Sequence, residues 1–276
     1  MSEPRMAEPV VGRRAGSAFD SAREQGRAAL VGYLPAGFPT VAEAIEGCRV
    51  LVDSGVDVIE IGLPYSDPVM DGPVIQRAAE RALAGGFRVA DVFRTVEAVA
   101  AAGAPALVMT YWNPVERYGV PAFARDLAAA GGAGLITPDL IPEEAGEWVA
   151  AAEEHDLDRV FLVAPSSTAQ RIATTTAACR GFVYAASVMG VTGAREQTGQ
   201  AAPALVERVR RATTVPVGVG LGVSTGAQAA EVAGYADGVI VGSALVRCLL
   251  DEADPAAARR RLGALTTELA AGVRKR

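Results

Sequence analysis

Short β-type runs alternate eight times with longer Ala-rich runs of helical pattern along this chain of 276 residues. That alternation predicts an α/β protein whose strands pair in parallel. Eight βα units in about 250 residues fit a closed (β/α)8 barrel, a TIM barrel, better than an open sheet. Half of the residues are hydrophobic and no linker or composition break interrupts the chain, so one domain with a sizeable core is expected.

Residues 1–17 read as a flexible N-terminal extension and 18–276 as the barrel domain. A short helix, Ala18 to Glu24, is expected to plug the bottom of the barrel. The first strand is Ala29–Leu34, followed by a helix from about Thr40 to Ser54. The second is Asp57–Ile61, ending in a long Gly/Pro-containing loop. Helical pattern returns at Pro73, breaks at Gly85-Gly86 and resumes to Ala102. A third strand, Ala106–Tyr111, leads to a helix ending near Gly131-Gly132. Gly134–Thr137, Arg159–Val163, Gly181–Ala185, Pro216–Val219 and Gly238–Val241 complete the eight. Between them lie helices at roughly Pro142–His155, Thr168–Ala178, Ala201–Ala212 and Ser224–Ala233, with extra helices at Ser243 and from Pro255 to Ala271.

Composition excludes several function classes. Lys and Arg number 26 against 32 Asp and Glu, a formal charge of −6, which disfavours a polyanionic partner. The single histidine, His155, excludes a multi-His metal centre. It sits where a helix should end, so helix-dipole and solvent contacts account for it better than chemistry does. Cys48, Cys179 and Cys248 form no CxxC pair and read as small core residues in a reducing compartment. No signal-peptide core and no run of about 18–20 apolar residues is present. A soluble cytoplasmic protein with carboxylate chemistry is expected.

In this fold the active site lies at the carboxyl ends of the strands. Strand parity sets Val56, Val58 and Glu60 on one face and Asp57, Ile59 and Ile61 on the other. The isoleucines suit the layer between sheet and helices, so Glu60 points into the barrel. A carboxyl group there is desolvated, which raises its pKa towards the range useful for both giving and taking a proton. The structural alternative is a Glu paired with an Arg or Lys. Asp67 and Asp71 follow in a loop stiffened by Pro64, Pro68 and Pro73, either as functional carboxylates or as turn residues. Glycines cluster after strands six, seven and eight, at Gly190 and Gly193, Gly220 and Gly222, and Gly242-Ser243. Their backbone N–H groups, with helix N-termini at Ser224 and Ser243, make an anion nest suited to phosphate.

Glu60-Ile-Gly-Leu-Pro-Tyr-Ser-Asp-Pro-Val-Met-Asp71-Gly-Pro closely resembles the strand-two signature of the tryptophan synthase alpha subunit. The resemblance extends through Tyr33-Leu-Pro-Ala-Gly37-Phe-Pro39, Met109-Thr-Tyr-Trp-Asn113-Pro114, Thr137-Pro-Asp139-Leu, Tyr184 to Gly193, Gly220 to Ser224 and Gly238 to Ala244. It runs in order over about Ala18 to Ala271. It implies retro-aldol cleavage of indole-3-glycerol phosphate to indole and D-glyceraldehyde 3-phosphate in tryptophan biosynthesis. By the same resemblance Glu60 is the general acid–base residue and Asp71 the partner of the indole N–H. Tyr33, Tyr111, Tyr184, Thr192 and Leu221 form the substrate pocket, and Gly193, Gly222, Gly242 and Ser243 bind phosphate. No metal and no cofactor is implied in this chain. PLP belongs to a beta subunit expected as partner in an α2β2 assembly, with Asp67 at that interface.

Three positions depart from the family's pattern: Phe38 replaces a common Asp, Tyr33 a common Phe and Leu221 a common Phe. The Tyr and Leu changes preserve an indole-sized pocket, whereas Phe38 alters the first loop's contacts. Rival readings are a stand-alone lyase releasing free indole, a non-catalytic activator subunit, and a sugar-phosphate epimerase or isomerase. A metal-dependent epimerase needs histidine ligands that this chain lacks.

Overall fold

The structure, a computed structural model, describes residues 14–186 and 201–275. Eight strands close into a barrel in chain order, every neighbouring pair parallel. They are β1 (Ala29–Pro35), β2 (Val58–Gly62), β3 (Ala106–Met109), β4 (Gly134–Thr137), β5 (Asp158–Val163), β6 (Val183–Ala186), β7 (Val217–Gly220) and β8 (Gly238–Val241). Val31 of β1 stands opposite Val58 on one side and Ile240 on the other, which closes the ring.

Helices precede, connect and follow the strands: α1 (Ala15–Glu24), α2 (Val41–Asp53), α3 (Pro73–Ala84), α4 (Asp91–Ala101), α5 (Trp112–Tyr118), α6 (Val120–Ala129), α7 (Gly146–Glu154), α8 (Ala169–Ala178), α9 (Ala201–Arg210), α10 (Gly226–Ala233), α11 (Ser243–Leu250) and α12 (Pro255–Val273). None of these is long and apolar enough to cross a membrane.

Strand alternation produces two separate cores. Val31, Val58, Leu107, Ile136, Val160, Phe182 and Ile240 fill the barrel interior. Ile59, Ile61, Val108, Leu135, Phe161 and Val239 pack outward against the helices. Val56 is a correction to the sequence reading: it precedes β2, so strand parity does not govern it, and it joins the outer core.

The lower end of the barrel is closed by α1, which starts at Ala15 rather than Ala18. Its Phe19 ring stacks on Phe182 with centroids 4.8 Å apart. Gly238 makes room for that ring, because a β-carbon there would overlap it. The buried Asp158 carboxylate accepts the Ala15 N–H at 2.9 Å, capping the helix from a distant strand.

Other boundaries differ from expectation for local reasons. The helix after β3 divides at Gly119, whose φ of +96° ends α5, and Pro121 opens α6. The helix after β4 begins only at Gly146, after a 3₁₀ turn at Pro142–Glu144. His155 forms the C-cap of α7, donating its N–H to Ala151 O at 3.2 Å. All three cysteines are buried and unpaired.

Candidate active site

Glu60 stands at the upper end of β2, in register with Tyr33 of β1 and Leu107 of β3. Its side chain faces the interior and is 1% exposed. Among the described residues no Lys or Arg pairs with it, and its Oε2 has no hydrogen-bond partner. The structural alternative of a salt-bridged Glu therefore fails among those residues. Burial, reinforced by the negative charge of Asp71, pushes its pKa up to about 8. At neutral pH the group rests as the acid.

Asp71 belongs to the loop between β2 and α3, and three bonds hold that end of the loop. Tyr111 Oη donates to Asp71 Oδ1 at 3.1 Å and itself accepts the Met70 N–H at 3.0 Å. Gln76, one turn into α3, donates from Nε2 to the Asp71 carbonyl at 2.8 Å. Burial raises the Asp71 pKa while the bond from Tyr111 opposes the rise. Burial pushes the Tyr111 hydroxyl itself up to about 12, so it remains a donor.

Tyr111 was expected in the third strand, lining the pocket. The strand stops at Met109 and Tyr111 becomes the N-cap of α5, where its hydroxyl clamps the carboxylate loop. Asp139, beyond β4, fixes that turn by accepting the Trp112 N–H at 3.0 and 3.1 Å. Tyr65 packs on Tyr111 with centroids 5.4 Å apart, and Asn113 Nδ2 donates to its hydroxyl at 2.9 Å. The clamping roles of Tyr111, Gln76 and Asn113 carry no signature in sequence, since each depends on which loop crosses above the helix.

Tyr33 and Tyr184 repeat one arrangement at two places on the ring. Each leans onto a glycine of the next strand: Tyr33 onto Gly62 and Tyr184 onto Gly220. A β-carbon at either glycine would overlap the phenol oxygen, so the small residue lets the ring lie across the mouth. Burial raises both phenols, and Glu60 raises them further. Leu221, 8% exposed, follows directly after Gly220.

Two turns of the expected anion nest are described, after β7 and after β8. Gly222 adopts φ +78°, a left-handed turn. Gly242 precedes α11, which starts at Ser243 and has no side-chain cap on its first N–H groups. Thr192 and Gly193, with Gly190, lie outside the described residues. Ser224 is a correction: α10 starts at Gly226 with Thr225 as its cap, and the Ser224 N–H is taken by Gln228 Oε1 at 2.8 Å. A side-chain acceptor from the first turn of α10 thus takes the N–H that an anion would have used.

Phe38 is fully buried, and the Arg81 guanidinium lies 5.1 Å from its ring centroid. The first loop is thus packed onto α3 by an aromatic contact. On the outer rim Asp67 is exposed and accepts the Ser66 hydroxyl, and Val69 is 81% exposed. Beside them a cleft of about 390 Å³ is lined by Leu63, Tyr65, Asp67, Asn113, Arg117 and Tyr118 among others.

Comparison with known proteins identifies relatives in sequence and fold. The family model described as tryptophan synthase alpha chain matches residues 19–274. The tryptophan synthase alpha chain of Salinispora arenicola is 68% identical over 259 residues, covering 94% of this chain and 97% of the relative. That of Mycobacterium tuberculosis is 64% identical over 261 residues, 95% of this chain and 94% of the relative. A solved structure of M. tuberculosis tryptophan synthase superposes with a TM-score of 0.90 at 63% identity, covering 95% of this chain and 99% of the other. The tryptophan synthase alpha subunit of Legionella pneumophila gives 0.85 at 32% identity, covering 94% and 98%. With a family match over nearly the whole barrel and the two carboxylates at its mouth, the chain belongs to the tryptophan synthase alpha chain family.

Proposed function

We propose that this chain is a lyase that cleaves indole-3-glycerol phosphate to indole and D-glyceraldehyde 3-phosphate by a retro-aldol step. The observation that carries the proposal is Glu60, a buried carboxylic acid with no cationic partner among the described residues, with Asp71 on the loop after the same strand close enough for its charge to act on Glu60. The reaction needs one group that first gives and then takes a proton. Protonated at rest, Glu60 delivers its proton to C3 of the indole ring, which leaves the ring cationic. Asp71 accepts the indole N–H bond and stabilises that charge. The carboxylate of Glu60 then removes the side-chain hydroxyl proton as the C–C bond breaks and its electrons return to the ring. Glu60 ends the cycle protonated, so the proton balance closes without another acid or base.

Tyr111 and Gln76 keep Asp71 in place while charge develops. Gly222, Gly242 and Ser243, together with Gly193, grip the phosphate, whose binding energy positions the distant reacting end. Thr192 contributes to the pocket from the segment after β6. Indole passes to a PLP-dependent beta subunit in an α2β2 assembly, for which exposed Val69, Asp67 and the adjoining cleft offer a rim surface. The chain itself needs no cofactor for these steps and acts in the cytoplasm.

The test is indole release from indole-3-glycerol phosphate, with and without a beta subunit. Slow release alone and faster release with the partner is expected. Asp71→Asn should lose about 100-fold or more in kcat while substrate binding is largely kept. An equal loss of binding would make Asp71 a loop anchor instead.

A further inference from the structure

Tyr33 is an interior residue of β1, and the fold gives its hydroxyl a defined place. Tyr33 and Glu60 are register partners on adjacent strands. The phenol oxygen reaches two residues further along β2, to Gly62, which raises it above the backbone of Glu60 on the same interior face. The charge of Glu60 acts on this phenol, so the two groups are neighbours at that end of the barrel. The Oε2 atom of Glu60 is a buried acceptor without a partner among the described residues.

The other ionisable groups around Glu60 have different commitments. Asp71, on the β2 loop, repels the ionised form. Tyr111, at the exit of β3, is engaged with Asp71 and Met70. Tyr184, from β6, also feels the charge of Glu60, but its hydroxyl lies over Gly220 of β7 and not over the strand that carries Glu60. Among the described residues no Lys, Arg or His influences Glu60. Tyr33 is the donor on the neighbouring strand.

We propose that Tyr33 is a positioning residue for Glu60, its hydroxyl donating a hydrogen bond to the carboxylate while Glu60 is ionised in the middle of each turnover. The inference rests on the acid–base role proposed above. Tyr33 exchanges no proton. When Glu60 has protonated the ring, the Tyr33 O–H supplies the partner that the buried oxygen lacks, and it yields when Glu60 takes its proton back. Burial and the charges of Asp71 and Glu60 hold the phenol well above its ordinary pKa, so it stays a donor throughout. A neighbouring donor lowers the energy of the ionised state without removing the acid from its resting form.

The experiment compares the full chain with Tyr33→Phe, which keeps the ring. Side-chain carboxyl carbons of glutamate are labelled with ¹³C, Glu60 is assigned by its loss in Glu60→Gln, and both proteins are titrated without substrate. The expected result is an upward shift of the Glu60 midpoint by about one pH unit in Tyr33→Phe, the size of one hydrogen bond to a charged group. The basic limb of the kcat/KM profile for indole release should move in the same direction, with kcat down about three- to tenfold. Coincident Glu60 titrations would overturn the proposal, even if Tyr33→Phe changed KM or Tm through packing. The titration needs no turnover. A shift in a protein that released no indole would support the Tyr33–Glu60 bond while refuting the proposed reaction.

Discussion

Replacing Glu60 by Gln separates the acid–base reading from a purely structural one through stability as well as rate. The folded protein holds Glu60 at about 8, against an ordinary value of 4.5. Within that window the folded state binds a proton that the unfolded chain has lost. The unfolding free energy therefore falls as pH rises, by up to about 1.4 kcal/mol per pH unit. The stabilisation is fully present below the unfolded pKa and is lost as pH rises through the folded one. Over the whole gap the loss is on the order of 5 kcal/mol, an upper bound because water penetration and relaxation reduce it.

The matching assay is urea unfolding of both proteins from pH 5.5 to 7.5. Two pH units correspond to at most about 3 kcal/mol, and relaxation leaves about 1–3 kcal/mol as the expected relative gain of Glu60→Gln. Asp71 and Asp158, whose pKa values burial also raises, titrate in both proteins and cancel to first order in the comparison. Indole release by Glu60→Gln should drop by about 100- to 10,000-fold. The wild-type kcat/KM should decline above about pH 8, as the resting acid is lost. Parallel stability curves would refute the reasoning, because Glu60 would then be ionised at neutral pH and unable to act as the resting acid.

Three further perturbations probe the supporting structure. Tyr111→Phe removes the bonds to Asp71 and to the Met70 N–H, and should lower kcat about 10- to 100-fold in steady-state kinetics with a smaller change in KM. Gly222→Ala forces a β-carbon onto φ +78°, costing about 1–2 kcal/mol, and should raise KM for the phosphorylated substrate more than it lowers kcat. Phe19→Ala empties the plug beneath Phe182, so calorimetry or urea unfolding should show a loss of about 3–5 kcal/mol. Its kcat should be preserved well below the unfolding temperature, since the plug closes the end of the barrel opposite the site.

Much of the barrel was legible because parallel strands and their covering helices write two different periods into the chain. Ile59 and Ile61 turned outward and Glu60 inward as alternation requires, and the glycine breaks at Gly85-Gly86 and Gly131-Gly132 ended helices as expected. Errors came where a local signal had two uses. Tyr111 continues an apolar β-like run, yet Asp139 captures the following N–H and turns the chain into α5. Ser224 looks like a helix cap, but Thr225 takes that place and Gln228 folds back onto Ser224. Val56 obeys parity in a string of letters but lies before the strand that would enforce it.

The sequence by itself determined the class of fold, the inward carboxyl of Glu60 and, through the strand-two motif, the family. These depend on residue type and spacing along a single element, which the chain carries explicitly. The tertiary structure alone decided that Glu60 is without a cationic partner among the described residues, and that Tyr111 holds Asp71. It also decided that Tyr33 lies across Gly62, and that the Arg81 guanidinium lies over the Phe38 ring. Each of these joins residues on different elements, and barrel closure sets their separation. A pKa near 8 arises from the same source, because desolvation is a property of everything packed around a group and not of its neighbours in the chain.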